Sequence, residues 1–219
     1  MSQSKPSVLV VAGSHGGQTC GPVIHERLVV SGQVTSTLHK EPQSLAPADF
    51  GAYDAVVYYG ENSNFTRDFG DEAEQALREL VRGGRGLVGV HVASYRAEGR
   101  LDALFGGNSP GCVRPPADVP SLRNLQFEFD VRVVDREHPV TAGVRDFRLI
   151  DEHYRSELTP DARVLLRGDD ALGGQPLGWL RTDGGGRVFH TPLGHRPDDF
   201  GHPQFWRLIL QGVLWAAGR

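Results

Sequence analysis

Nine histidines are spread through the 219 residues, and most fall where an apolar or β-branched run ends or turns. His91 is the clearest case. Gly86-Leu-Val-Gly-Val90 is a short apolar run that stops at an imidazole, and the small residues Val92-Ala-Ser94 follow it. A buried strand that ends in this way presents its last side chain at the carboxyl edge of a sheet, where open α/β folds bind ligands. An imidazole there can serve as a general base, a proton shuttle or a metal ligand. His195 follows Leu193-Gly194, where glycine permits a tight turn that aims the ring inwards. Glu152 and Tyr154 are two residues apart, so in a strand they share one face. Moving a proton beside a carbonyl needs a base and an acid within hydrogen-bond range of the reacting atoms. His91 suits the base, Glu152 the acid or an orienting partner, and His195 completes a catalytic trio. Tyr154 can donate to a substrate oxygen, and His15 and His190, also at strand ends, are candidates to line the pocket and contact substrate. The plainer alternatives are a strand-edge salt bridge for Glu152 and a backbone-bound loop histidine for His195.

Other assignments are weaker. His15, His91, Glu152 and His195 can together supply three or four ligands to zinc or a similar divalent ion. No His-x-x-x-His or His-Glu-x-x-His spacing accompanies them, so a metal rests on convergence in space. Otherwise no cofactor is assigned, because the Gly13-x-x-Gly16-Gly17 loop lacks the Gly-x-Gly-x-x-Gly pattern of dinucleotide sites. Cys20 reads as a small buried residue rather than a nucleophile, and His138, followed by Pro139-Val-Thr141, as a turn element.

These side chains meet only if strands and helices alternate. Strands are expected over Ser7–Val11, Gln33–Leu38, Tyr53–Tyr59 and Gly86–Val90, with helices over Gly21–Val30 and Asp71–Val81. The second helix carries an apolar stripe of Ala73, Ala76, Leu77, Leu80 and Val81, and Gly83-Gly84 offers it a left-handed cap. Such alternation predicts a mainly parallel sheet covered on both faces. Arg100 to Pro120, rich in glycine and proline, reads as an excursion that covers or borders the site. Beyond it, Leu125–Val134 alternates at period two, and shorter strands are expected over Glu152–Leu158, Arg163–Leu166, Leu177–Arg181 and Arg187–His190. A closing helix from Pro203 to about Ala217 turns Phe205, Leu208, Ile209, Gly212, Val213 and Ala216 to the core. No repeat or linker divides the chain, so one domain over residues 1–219 is expected.

Composition narrows the partners. The net charge is −4, with 23 basic and 27 acidic residues intermixed, and no basic stripe suits nucleic acid or anionic lipid. No apolar run approaches the length of a membrane span or a signal peptide. Two cysteines, Cys20 and Cys112, form no framework and are expected to be free thiols in a reducing cytoplasm. A small-molecule ligand remains the expected partner, with homo-oligomerisation open.

Four segments together resemble the ThuA-like (trehalose-utilisation) family: Gly86-Leu-Val-Gly-Val-His-Val-Ala-Ser94, Asp135-Arg-Glu-His-Pro-Val-Thr-Ala-Gly143, Asp151-Glu-His-Tyr154, and Gly186-Arg-Val-Phe-His-Thr-Pro-Leu-Gly-His195 with Pro203-Gln-Phe205 after it. Their order and spacing match over roughly residues 7 to 217. The sequence departs from the family in two places. Asn108-Ser-Pro-Gly-Cys112 stands where an aromatic residue and a histidine are common, and the first loop offers His15 without a second histidine or an aspartate. The resemblance implies a flavodoxin-like, three-layer sandwich of the class I glutamine amidotransferase type. It also implies a place in carbohydrate metabolism, where some relatives act through 3-keto sugars. Gly89-Val-His-Val-Ala93 is similar to the Gly-x-Cys-x-Gly elbow of those amidotransferases, with imidazole in place of thiol, which implies the fold without glutaminase chemistry. His190 falls where amidotransferases keep their catalytic histidine. The expectation is therefore a sugar or 3-keto sugar processed or bound through His91, Glu152 and His195. A metal-dependent hydrolase or lyase and a non-catalytic binding or assembly module are the alternatives.

Overall fold

A computed structural model describes residues 4–61, 71–95, 102–122 and 125–219. Among these residues the strands are β1 (Ser7–Ala12), β2 (Thr35–His39), β3 (Ala55–Tyr59), β4 (Gly86–Val90), β5 (Gly107–Cys112), β6 (Gln126–Val133), β7 (Phe147–Glu152), β8 (Tyr154–Leu158), β9 (Arg163–Arg167), β10 (Pro176–Asp183) and β11 (Gly186–Thr191). The helices are α1 (Gly17–Ser31), α2 (Asp71–Arg82), the single turn α3 (Asp102–Phe105) and α4 (Pro203–Ala216). Nine strands form one sheet in the order β2-β1-β3-β4-β11-β10-β9-β6-β7, and β5 pairs with β8 apart from it. The first five run parallel and the rest join antiparallel in succession, so seven of the nine point the same way. The result is a mixed α/β fold with a large, mostly parallel sheet.

Period-two alternation distributes the strand side chains between two cores. Val8, Val10, Val57, Val88, Val90 and Phe189 face α1 and α4, whereas Leu9, Val11, Val56, Leu87 and Val188 face α2 and α3. Each such fully buried aliphatic side chain contributes about 1.5–3 kcal/mol. The closing helix buries the six residues its spacing marks out. In α2, Leu77, Leu80 and Val81 are buried as expected, while the side chains of Asp71 and Ala73 lie outside the described part.

Several boundaries differ for physical reasons. Helix α1 begins at Gly17, four residues before the expected start, because Gly17 and Gly21 let its first turn lie on the backbone of β1 and β3. A Cβ on Gly17 would stand 2.5 Å from the carbonyl oxygen of Tyr59, and one on Gly21 2.7 Å from Cβ of Ala12. The expected strand Glu152–Leu158 is broken at His153: Glu152 ends β7 in the large sheet and Tyr154 begins β8 in the small one. The excursion of residues 100–120 is partly ordered into α3 and β5, and its residues 100 and 101 lie outside the described residues. Both cysteines are free.

The antiparallel half bends. Strand β6 meets β9 only through Arg132–Arg167 and Val133–Leu166, while it pairs with β7 from Gln126 to Val131. The far end of the β6–β7 hairpin is thus released from the sheet and can arch back over the carboxyl edge.

The packing at the start of α1 makes Gly17→Ala destabilising by about 1–3 kcal/mol through overpacking. Gly51→Ala, which meets no atom within 4 Å, should stay within about 0.5 kcal/mol of the parent. Urea midpoints of the two variants check this.

Candidate active site

Strands β1, β3, β4, β7 and β11 all end at the same edge, and the residues that follow them build the site. His91 comes directly after β4 and His15 lies in the turn after β1, with φ of 59° and 54°. Left-handed backbone at a residue with a side chain costs on the order of 1–3 kcal/mol and persists where the surroundings enforce it. At His91 they do. Gly89 leaves no room for a side chain, since its Cβ would stand 2.5 Å from both His190 Nδ1 and Phe105. Gly194, with φ of 100°, makes the turn that aims His195 inwards.

The three expected residues meet. His195 Nδ1 lies 3.1 Å from His91 Nε2. Glu152 Oε2 lies 3.4 Å from His195 Nδ1 and 3.8 Å from His91 Nε2. Tyr154 Oη donates to the same carboxylate oxygen at 2.5 Å. On its other side, His91 Nδ1 is 3.2 Å from the carbonyl oxygen of Pro192, which can only accept. Nδ1 therefore carries the proton, and the Nε2 lone pair faces His195. His15 stands at the mouth, its ring centroid 6.0 Å from that of His91 and 6.3 Å from that of His195. Its Nδ1 lies 3.8 Å from a carboxylate oxygen of Glu61.

The electrostatics assign different states to the two inner imidazoles. Burial, reinforced by His195, depresses His91 to about 3. Its ring is therefore held in the neutral form near neutral pH. His195 moves the other way, raised chiefly by its hydrogen bond to Glu152. Burial pulls Glu152 upward, but His195, Tyr154 and His91 outweigh it and leave the carboxyl below its ordinary value. An anionic carboxylate beside a readily protonated imidazole is a donor–acceptor pair.

Asp151 ties these pieces together, a role the sequence reading missed. Its fully buried carboxylate accepts from the backbone N–H of Glu152 at 2.7 Å, of Gly194 at 2.6 Å and of His195 at 3.3 Å. Tyr59 Oη supports the same turn by donating to the carbonyl of Gly194 at 2.9 Å. The alternation of Phe147 and Leu149 with Arg148 and Ile150 places Asp151 on the inward face, and that pattern was the available signal.

Other candidates lie elsewhere. His190 is fully buried, 2.7 Å from Ser94 Oγ through Nε2, and it packs against Trp179 and Phe105 at ring separations of 4.6 and 5.2 Å. It lines no opening for substrate, because at this register it points to the α3 side of the sheet. His153 is buried against Phe129 at 4.6 Å. His138 accepts from Val140 N at 3.2 Å and caps the turn it begins, as expected. Cys20 is buried with its Sγ 3.7 Å from the carbonyl of His195, and burial raises its thiol. Burial also pushes Cys112, the cross-strand partner of Tyr154, to about 11, so neither thiol is ionised at neutral pH. Through Cys112 the excursion borders the site.

Asp151→Asn keeps one acceptor oxygen, so its amide hydrogens oppose the N–H of Gly194 in one orientation, or those of Glu152 and His195 in the other. A loss of about 1–3 kcal/mol is expected from unsatisfied buried groups, with a changed environment of the His195 ring. Denaturant titration and imidazole NMR signals measure the two effects.

Comparison with known proteins agrees with this architecture. The sequence profile of the ThuA family, described as trehalose utilisation, matches residues 7–216. A ThuA-like protein of Parabacteroides merdae superposes with a TM-score of 0.75 at 23% identity, covering 98% of this chain and 91% of that one. A ThuA-like protein of Bacteroides uniformis gives 0.72 at 17% identity, covering 99% and 94%. A β-galactosidase of Rahnella sp. R3 gives 0.65 at 13% identity, covering 96% of this chain but 31% of that longer one. No curated protein matches the sequence. A profile matched along nearly the whole length, on a fold shared with ThuA-like structures, places this chain in the ThuA family of trehalose-utilisation proteins.

Proposed function

We propose that the carboxyl-edge cluster processes a sugar or 3-keto sugar by proton transfer, as an isomerase, lyase or hydrolase of the cytoplasm. The observation that carries this reading is the contact of Glu152 Oε2 with His195 Nδ1 at 3.4 Å and with Tyr154 Oη at 2.5 Å. A hydrogen next to a sugar carbonyl is removed by Glu152 while protonated His195 donates to the carbonyl oxygen. Return of the proton to the former carbonyl carbon, with loss of the hydroxyl proton of the deprotonated carbon to His195, completes an isomerisation; loss of a protonated substituent from the carbon on its other side, with the carbonyl re-formed, completes an elimination. Tyr154 keeps the carboxylate anionic and oriented, and His91 holds the ring of His195. The family's link to trehalose, and a β-galactosidase that shares the fold over part of its length, support a carbohydrate as the substrate class.

A panel of disaccharides and their 3-keto derivatives tests the proposal. Glu152→Gln should lower turnover by about 10²–10⁴-fold, the usual contribution of a general acid–base group, with little change in melting temperature. Sugars that raise the melting temperature of the parent without being turned over would instead support a binding module.

Glutaminase activity is expected to be absent. His91 occupies the elbow, and both thiols are held protonated by burial, so no thiolate is available to form a glutamyl thioester. Ammonia release from glutamine by the purified protein, persisting in Cys20→Ala, would contradict this assignment of the elbow.

A further inference from the structure

Three imidazoles converge at the mouth of the carboxyl edge, and the ligating nitrogens of His15, His91 and His195 all lie within 4.8 Å of one another. We propose that these three residues bind one divalent transition ion of the zinc class, with a fourth position open to water or a substrate oxygen and Glu152 beside that position. The inference deepens the sugar reading by naming a cofactor for the same site: with the ion bound, His195 would act as a ligand and the ion would take over from its proton the polarising of the carbonyl oxygen, with Glu152 still the base. It rests on that reading only for the oxygen that fills the open position.

The distances suit an ion. Metal–nitrogen bonds of about 2.0–2.1 Å in a tetrahedron hold neighbouring ligand nitrogens about 3.3 Å apart. His91 Nε2 and His195 Nδ1 are 3.1 Å apart, and His15 completes the triangle with a nitrogen within 4.8 Å of both. Three protein ligands and one free position make up the usual catalytic, rather than structural, zinc arrangement.

The outer contacts suit it too. An imidazole that binds a metal is generally fixed by a hydrogen bond from its other ring nitrogen to a carbonyl or carboxylate. His91 has that partner in Pro192 O at 3.2 Å, which leaves the Nε2 lone pair facing the cluster. His15 has the Glu61 carboxylate 3.8 Å from Nδ1, an ion-pair distance rather than a hydrogen bond. The backbone gives an independent sign. Among the described residues, the non-glycine residues at positive φ are His15, His91 and Leu125, so two of the three belong to this trio. Strain of this kind gathers where side-chain aim matters more than local comfort.

Exposure fixes the direction of the open position. The side chains run from 0% exposed at His91 through 19% at His195 to 46% at His15, so the trio climbs from the sheet edge to solvent. A ligand oxygen can enter at the His15 end. Glu152 already accepts from Tyr154 and has the geometry of a neighbouring carboxylate that handles protons.

The test uses protein purified without a histidine tag or metal column, stripped with a chelator and titrated with Co(II), then with Zn(II) as competitor. One equivalent per chain is expected, with the intense visible absorption of four- or five-coordinate cobalt. His15→Ala and His195→Ala should each weaken binding by at least about 100-fold. His15 lies at the surface, so its variant should keep the parent melting temperature. Glu152→Gln and the surface control His39→Ala should retain one equivalent. Absence of binding at micromolar ion, binding unchanged in the His15 and His195 variants, or loss of the ion in Glu152→Gln would overturn the three-histidine assignment. Turnover of a sugar by the metal-free protein would remove the ion as a cofactor and keep the sugar reading. Metal loading without turnover of any sugar would remove that reading alone.

Discussion

The carboxylate of Asp151 accepts three backbone N–H groups from two segments that the sheet order places four strands apart. On a flat sheet those strands would be separated by about 19 Å at the usual spacing. They come within hydrogen-bond distance because the β6–β7 hairpin leaves β9 after two paired positions and bends back over the edge. A buried acid is costly without partners: burial, with Asp199 nearby, raises Asp151 to about 7, and the N–H groups of Gly194 and Glu152 pull it back towards the charged form. Asp151 thus works as a clasp. It holds the end of β7, which carries Glu152, against the turn that carries His195. Arg196, next to His195, adds a second tie by donating to the carbonyl oxygen of Ile150 in β7 at 3.0 Å.

The other half of the site depends on rigidity. Strands β1, β3 and β4 are buried on both faces, so the turns that leave them are anchored by two cores rather than one. That anchorage sustains left-handed backbone at His15 and His91. Small residues do the complementary work. Gly89 admits His190 and Phe105, and Gly17 with Gly21 brings the first turn of α1 down onto the strand ends. The loop bearing His15 is short because the helix starts early.

Burial then divides the chemistry among residues of similar kind. His91 and His190 are both sealed from water, and desolvation drives each to about 3, yet only His91 offers a lone pair to the exposed cluster. His195 is only partly covered and gains a carboxylate partner, so it moves in the opposite direction.

Local periodicity in the sequence was sufficient to determine the parallel strands, the buried face of α4 and the placing of His91, Glu152 and His195 near strand ends, and the cysteine count pointed to free thiols. Side-chain alternation and helical spacing are properties of neighbouring residues, so they can be read without the fold. Tertiary structure alone decided the arching of β6 and β7, the division of Glu152–Leu158 between two sheets, the inward aim of His190 and the clasp of Asp151. These depend on which strands pair and which groups lose water. Both arise from contacts between residues far apart in the chain, such as the 43 positions that separate Asp151 from Gly194. His91 shows the boundary most plainly. Its position is written in the run that precedes it, whereas its protonation state is set by Pro192, His195 and the burial that surrounds them.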